Sequence, residues 1–259
     1  MLVDLHNHTP LCRHATGTPM QYVEAAIASG CRYFGFSDHA PMAFDPHYRM
    51  GLELMETYEA LVAEARNAYA SKIKVLLGYE VDFLEGYLEE RVLFRPCDYQ
   101  IGSVHFLGKW GFDNPEFIGE YANKDIDRIW EDYFEAIEAL AKSGHFDIVG
   151  HLDLMKVFNF LPKKDVRLLA KKALAAIKKA DMVVEINTAG LRKPVKEQYP
   201  SLALLEEIAA LDIPITFSSD AHAIEHIGQG GDQVVGLARH LGYRKCAIFS
   251  NREREMIIF

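Results

Sequence analysis

Six apolar runs in this chain end in histidine, aspartate or glutamate, and the first of them opens it. Met1-Leu-Val-Asp-Leu5 leads straight into His6 and His8, and His14 follows a Pro-containing turn. Residues i and i+2 of a strand point to the same side, so His6 and His8 can grip one metal ion together. Phe34-Gly-Phe-Ser-Asp-His39, Val75-Leu-Leu-Gly-Tyr-Glu80, Tyr99-Gln-Ile-Gly-Ser-Val-His105, Ile148-Val-Gly-His151 and Ile213-Pro-Ile-Thr-Phe-Ser-Ser-Asp-Ala-His222 end the same way. One such segment would mean little. Six of them, all delivering metal-ligand chemistry, point to an active site.

Between these segments the spacing predicts helices. They span Pro19 to Ser29, about Leu52 to Ala70, Asp125 to Ser143, Lys163 to Ala180, Leu202 to Leu211 and Asp232 to Leu241. The predicted strands cover Tyr33 to Ser37, Lys74 to Tyr79, Tyr99 to Val104, Asp147 to Val149, Met182 to Ile186 and Ile213 to Phe217, with a last short one from Cys246 to Ser250. Repeating β-then-α units without a break in composition predict an α/β fold with a parallel sheet, most simply closed as a barrel. Active residues of such barrels gather at the C-terminal strand ends, where all of these fall. An open doubly wound sheet would spread the six strand ends along a wide edge. The aromatic, Gly-containing loop from Phe106 to Asn123 follows a ligand strand and is expected to form one wall of a pocket.

A length of 259 residues suits one large barrel, and residues 1–259 are read as a single domain. No apolar run approaches the ~20 residues of a membrane span, and no signal-peptide pattern opens the chain, so a cytoplasmic protein is expected. Cys12, Cys31, Cys97 and Cys246 form no CxxC pair, which argues for reduced thiols and against a zinc-finger site. The formal net charge of −9 disfavours a nucleic-acid partner. It allows a small anionic substrate, because bound divalent ions make a pocket locally positive.

Seven of the 11 histidines (His6, His8, His14, His39, His105, His151 and His222) sit in or just after predicted strand ends. The other four, His47, His145, His226 and His240, lack that placement and read as structural or surface residues. Glu80 and Asp220 each end an apolar strand, where a carboxylate is costly to desolvate without a compensating cation. These nine candidate ligands exceed what one zinc ion needs. They fit two or three ions sharing a bridging carboxylate, with open positions for water and substrate. Asp4 and Asp38 are expected to hydrogen-bond ligand imidazoles from behind. Cys12 is passed over as a ligand because harder donors abound. Arg192, in the Gly-containing turn Thr188 to Pro194, is the candidate clamp for a phosphate.

With these residues in place, the chain resembles the PHP (polymerase and histidinol phosphatase) superfamily, and within it the histidinol-phosphate phosphatases. The pattern is matched in order by His6-x-His8, His14, His39, Glu80, His105, His151 and Asp220-x-His222, and Glu185 to Pro194 is similar to a stretch typical of the phosphatase branch. The resemblance implies a distorted, TIM-like (β/α)7 barrel and a cluster of three ions of zinc, iron or manganese. It assigns His6, His8, Glu80 and Asp220 to one ion, Glu80, His105 and His151 to a second, and His14, His39 and His222 to a third.

The activity so implied is hydrolysis of L-histidinol phosphate to L-histidinol and phosphate, in histidine biosynthesis, by metal-activated water. Glu80, Asp220, His222 and Arg192 are the expected catalytic residues, and Arg192 also binds the substrate. Asp220 and His222 both stand as candidates to assist the leaving alkoxide. A small phosphate ester is the expected partner, with neither nucleic acid nor membrane. The rival readings are a PHP phosphoesterase or exonuclease acting on nucleotides or DNA, and a metal-storage module. Structural metal sites are usually closed and cysteine-rich, which counts against the last.

Overall fold

The computed structural model describes residues 1–259 throughout. Seven parallel strands form its centre: β1 (Val3–Asp4), β2 (Tyr33–His39), β3 (Lys74–Asp82), β4 (Tyr99–Ser103), β5 (Ile148–Val149), β6 (Val183–Asn187) and β7 (Ile215–Ser218), hydrogen-bonded in that order. The ends of the sheet meet. Leu5 N–H donates to Phe217 O at 3.0 Å, and His8 N–H donates to Ala221 O at 3.0 Å, closing β1 onto β7. The result is the expected α/β barrel.

Around it run α1 (Pro19–Ala28), α2 (Met55–Ala68), α3 (Ile126–Ser143), α4 (Val166–Lys179), α5 (Leu202–Ala210) and α6 (Gly231–His240). The amphipathic pattern decides their seating. In α3 the buried residues Ile129, Trp130, Tyr133, Phe134, Ile137 and Leu140 recur at helical spacing. Asp125 caps the first turn of α3, and Gly144, at φ 73°, ends the helix. Two glycines are required by the barrel itself. Tyr99, on β4, sends its hydroxyl past β3 to Leu5 O at 2.5 Å and Phe36 O at 3.3 Å. A Cβ at Gly35 would lie 2.0 Å from that hydroxyl oxygen, and one at Gly78 would lie 2.5 Å from the ring.

Two features depart from the expectations. The segment expected as a last short strand is Lys245–Ser250 (β8), and it pairs antiparallel with Glu253–Ile258 (β9), which the sequence reading missed. This hairpin lies across the N-terminal end of the barrel. Arg252 at its turn donates to the Asp147 carboxylate and, at 2.6 Å, to His145 O. Thr216 on β7 donates to Ala247 O at 2.9 Å. The segment expected as an open loop contains a short hairpin, Phe106–Leu107 with Trp110–Gly111, and the 3-10 helix Pro115–Asn123. No disulfide is present, all four cysteines are buried, and no helix is long and apolar enough to cross a membrane.

Candidate metal centre

Strand register builds the site. Parallel pairing of β2 with β3 sets His39 directly beside Glu80. The bridge of Asn7 to Ala221 holds the His6–His8 segment against the Asp220–His222 segment. Two of the residues on these ends have unusual backbones for non-glycine side chains, His151 at φ 22° and Asp220 at φ 50°. Such strain persists only where surrounding contacts over-determine it.

The donor atoms gather in groups, each within 4.8 Å: His6 with His8 and Glu80, Glu80 with His105 and His151, and His14 with His39 and His222. Glu80 is common to the first two groups and nearly fully buried. Asp220 joins the first through His8, whose Nε2 lies 3.2 Å from Asp220 Oδ1. All nine residues expected as ligands are therefore brought together. Cys12 is buried beside them, and its sulfur lies within the same donor range of His8 and His222.

Outer partners aim the rings. His6 Nδ1 contacts Glu185 Oε1 at 2.7 Å, His105 Nδ1 contacts Asp82 Oδ1 at 2.7 Å, His8 Nδ1 contacts Asp38 Oδ1 at 3.4 Å, and His14 Nδ1 contacts Cys12 O at 2.9 Å. In each case Nε2 is left for the centre, the usual arrangement behind metal-bound histidines. Asp38 thus does what was expected of it. Asp4 does not: it touches no ligand imidazole, and instead accepts from Ser219 N–H at 2.9 Å, the Ser219 hydroxyl and Asn7 Nδ2. Its role is to tie β1 to the segment carrying Asp220.

Two orienting carboxylates had escaped the sequence reading. Glu185 serves His6 and also accepts His151 N–H at 2.8 Å. Asp82 serves His105 and is itself gripped by Arg49 at 2.7 Å. An acid inside an apolar strand was the one available signal for Glu185, since nothing local says which imidazole it meets. Arg49 is thereby buried structure, as is Lys156, which pairs with Asp153 and Glu197, whereas Arg13 is exposed.

The electrostatics suit cations. Burial alone would strip the proton from His6, but Glu185, Glu80 and Asp220 overcome it and raise its pKa well above the ordinary value. His8 is raised likewise against its burial, by Asp220 and Asp38. Burial drives His39 down to about 3, and burial with the nearby His8 charge drives His222 well down. Against the cost of burial, the surrounding imidazoles hold Glu80 and Asp220 well below the usual carboxylate range. The carboxylates are ionised and ready, and metal entry must displace protons from His6 and His8, so affinity falls as pH falls.

The structure also supplies a direct test of whether metal fits. His6 Nε2, His8 Nε2, His39 Nδ1, Glu80 Oε2 and His151 Nδ1 are buried with no hydrogen-bond partner. Buried polar atoms are rarely left so, and four of these on one nitrogen- and oxygen-rich floor, where His151 presents its other nitrogen, Nε2, to Glu80 at 3.0 Å, match the donor set of a cation cluster.

This floor lies at the base of a cavity of about 900 Å³. Arg192 stands in its wall, donating through Nη2 to Ser219 O at 2.6 Å and Asp220 O at 3.1 Å. Its Nη1 is buried without a partner. The segment 106–123 forms another wall, as expected, with Phe106, Asp113 and Phe117 among its lining. His47 and His226, read from sequence as structural or surface residues, line the cavity as well.

Residues 4–189 match the PHP domain family. A Deinococcus radiodurans protein named probable histidinol-phosphatase is 42% identical over 94% of this chain and 95% of its own length. The histidinol-phosphatase of Bacillus subtilis is 30% identical over 94% of this chain and 98% of its own. The histidinol phosphate phosphatase of Lactococcus lactis, solved with zinc, L-histidinol and phosphate, shares the fold at a TM-score of 0.83 and 23% identity, covering 98% of each chain. With its nine donors converged on one barrel mouth, the chain belongs to the PHP domain family, among the histidinol-phosphatases.

Proposed function

We propose that this protein is a metal-dependent phosphomonoesterase that hydrolyses L-histidinol phosphate to L-histidinol and phosphate, with residues 1–259 acting as one catalytic unit in the cytoplasm. The observation that carries this reading is the conjunction of orphaned buried donors with the free Nη1 of Arg192 in one cavity. The curated relatives supply the substrate.

Three ions of zinc, iron or manganese would be held by His6, His8, Glu80 and Asp220, by Glu80, His105 and His151, and by His14, His39 and His222. When bound, such ions neutralise a phosphate dianion and make water a nucleophile near neutral pH. The chain's own residues do the rest. Arg192, fixed through Nη2 on two carbonyl oxygens, offers Nη1 to a non-bridging phosphate oxygen and favours the transition state, where charge there grows. Asp220 is anchored by Asn187 Nδ2 at 3.1 Å, and it and His222 stand beside the cavity as the groups that would assist the leaving alkoxide. The carboxylates behind His6 and His105 hold Nδ1 and keep each ring turned so that Nε2 points to the centre.

The test is a comparison of kcat/KM for L-histidinol phosphate with other phosphomonoesters, nucleotides and single-stranded DNA, with metals assayed in the same preparation. A strong preference for L-histidinol phosphate is the expected result. A preference for nucleotides or DNA would move the protein to another branch of its family and overturn the substrate assignment.

A further inference from the structure

Between Asn187, the last residue of β6, and Leu202, the first of α5, the chain makes an excursion whose opening turn, Ala189–Arg192, carries the phosphate clamp. Its far limb returns to the strand end, where Asn187 and Tyr199 exchange backbone hydrogen bonds of 2.7 and 2.9 Å. Arg192 makes no ion pair, and its hydrogen bonds go to the carbonyl oxygens of Ser219 and Asp220. Where the guanidinium stands therefore depends on where the excursion stands.

A buried cation from another loop fixes the far limb. Lys156, at 2% exposure, ends the 3-10 turn Leu154–Lys156 that follows His151. Its Nζ meets Asp153 Oδ2 at 3.0 Å within its own turn, and donates to Glu197 Oε2 at 2.7 Å and Gln198 O at 2.8 Å on the limb. Asp153 Oδ2 also accepts from Ser201 N–H at 2.8 Å, and Asn159 Nδ2 donates to Pro194 O at 2.9 Å. The clamp turn rests directly on the limb so held. A Cβ at Gly190 would lie 2.0 Å from Glu197 O, so the two backbones touch and only glycine fits two residues before Arg192. Contact thus runs without a gap from Lys156 to Glu197, from Glu197 to Gly190, and along the turn to Arg192.

We propose that Lys156 is a positioning residue for the phosphate clamp: its ammonium fixes the Glu197–Gln198 limb behind the turn, so that Arg192 stands at the cavity before a phosphate arrives. This rests on the reading of Arg192 as the group that binds the phosphate. Lys156 does not line the cavity and acts only through the limb. Desolvation cancels much of what a buried ion pair adds to stability, so stability alone is a poor account of the cluster. Donors fixed in advance favour a transition state because nothing need reorganise during the reaction.

The experiment is a double-mutant cycle on the metal-loaded enzyme, read by kcat/KM for L-histidinol phosphate and by inhibition with inorganic phosphate. Lys156→Met keeps the aliphatic stem and removes the charge. Glu197→Gln weakens the same grip at a side chain 38% exposed, where folding is at little risk. With Arg192 present, Lys156→Met is expected to lower kcat/KM about 5- to 30-fold and Glu197→Gln about 2- to 5-fold, as for changes along a packed network that touches no ligand. Both should weaken phosphate inhibition. In the Arg192→Ala background neither should lower kcat/KM by more than about 2-fold further, because the group they misplace is gone. Metal affinity should match that of the wild type throughout. Losses of equal size with and without Arg192 overturn the proposal, since a general loosening of the fold would act in both backgrounds. Wild-type kcat/KM in folded Lys156→Met overturns it as well, and so does a metal affinity that falls in step with kcat/KM. If Lys156→Met does not fold, the Glu197→Gln cycle decides by the same criteria. Wild-type kcat/KM in Arg192→Ala instead overturns the phosphate-clamp reading on which the inference stands.

Discussion

At the scale of single residues, the site depends as much on what stands behind the ligands as on the ligands. Glu185 touches His6 Nδ1 and the backbone N–H of His151, residues assigned to two different ions. Glu185→Gln is therefore expected to weaken metal binding about 10- to 100-fold, the usual loss for a partner of a ligand histidine. Competition with a chromophoric chelator would measure this, and unchanged affinity would remove Glu185 from the metal centre. Arg192 touches no expected ligand side chain, and its Nη1 is buried without a partner. Arg192→Ala should retain metal and lose roughly 2–4 kcal/mol of transition-state stabilisation in kcat/KM. An unchanged kcat/KM would exclude it from the phosphate site. His6, His8 and Arg192 could be picked out from local sequence because their strand ends and turn advertise them. Glu185 and Asp82 could not, since each has its meaning from a partner distant along the chain.

At the scale of elements, the two ends of the barrel divide the work. The C-terminal strand ends carry the nine donors, and the β8–β9 hairpin covers the opposite end through Arg252, whose side chain reaches Asp147 and His145 O. Arg252→Ala should cost roughly 1–3 kcal/mol of stability, as for hydrogen bonds to a charged group. Urea unfolding would register that loss, and kcat/KM should stay at the wild-type value. A parallel fall in kcat/KM for the folded protein would show that the two ends are coupled. Strand β9 was missed because its first half alternates charges, Glu253-Arg254-Glu255, and is exposed, so it has no apolar signature. Helix α3 was legible almost to the residue because its cap, its apolar stripe and its terminal glycine all agree.

At the scale of the whole molecule, the metal-binding floor is a concentrated cost to folding without metal, because four of its buried donor atoms, His6 Nε2, His8 Nε2, His39 Nδ1 and Glu80 Oε2, have no hydrogen-bond partner. Ions bound to the folded state alone stabilise it, by about 2.7 kcal/mol for one site at a hundredfold excess over its Kd. Exhaustive chelation should then lower the Tm by roughly 5–10 °C for a chain of this size and abolish activity together. Full activity after complete metal removal would refute the mechanism. An unchanged Tm would show that the unpartnered donors carry no such cost.

The sequence by itself determined the order of the barrel strands and their helices, the candidate ligands and the histidine- and carboxylate-rich character of the site. Those properties follow from apolar periodicity and from the chemistry of side chains at strand ends, both local along the chain. Only the tertiary structure decided which donors share an ion-sized space, which carboxylate backs which imidazole, and that Arg192 lines the same cavity as the donors. Those relations depend on register and barrel closure, as where His39 meets Glu80 and Asn7 meets Ala221. A one-residue slip in strand register would turn these side chains to the opposite face, so local pattern alone cannot specify which of them meet.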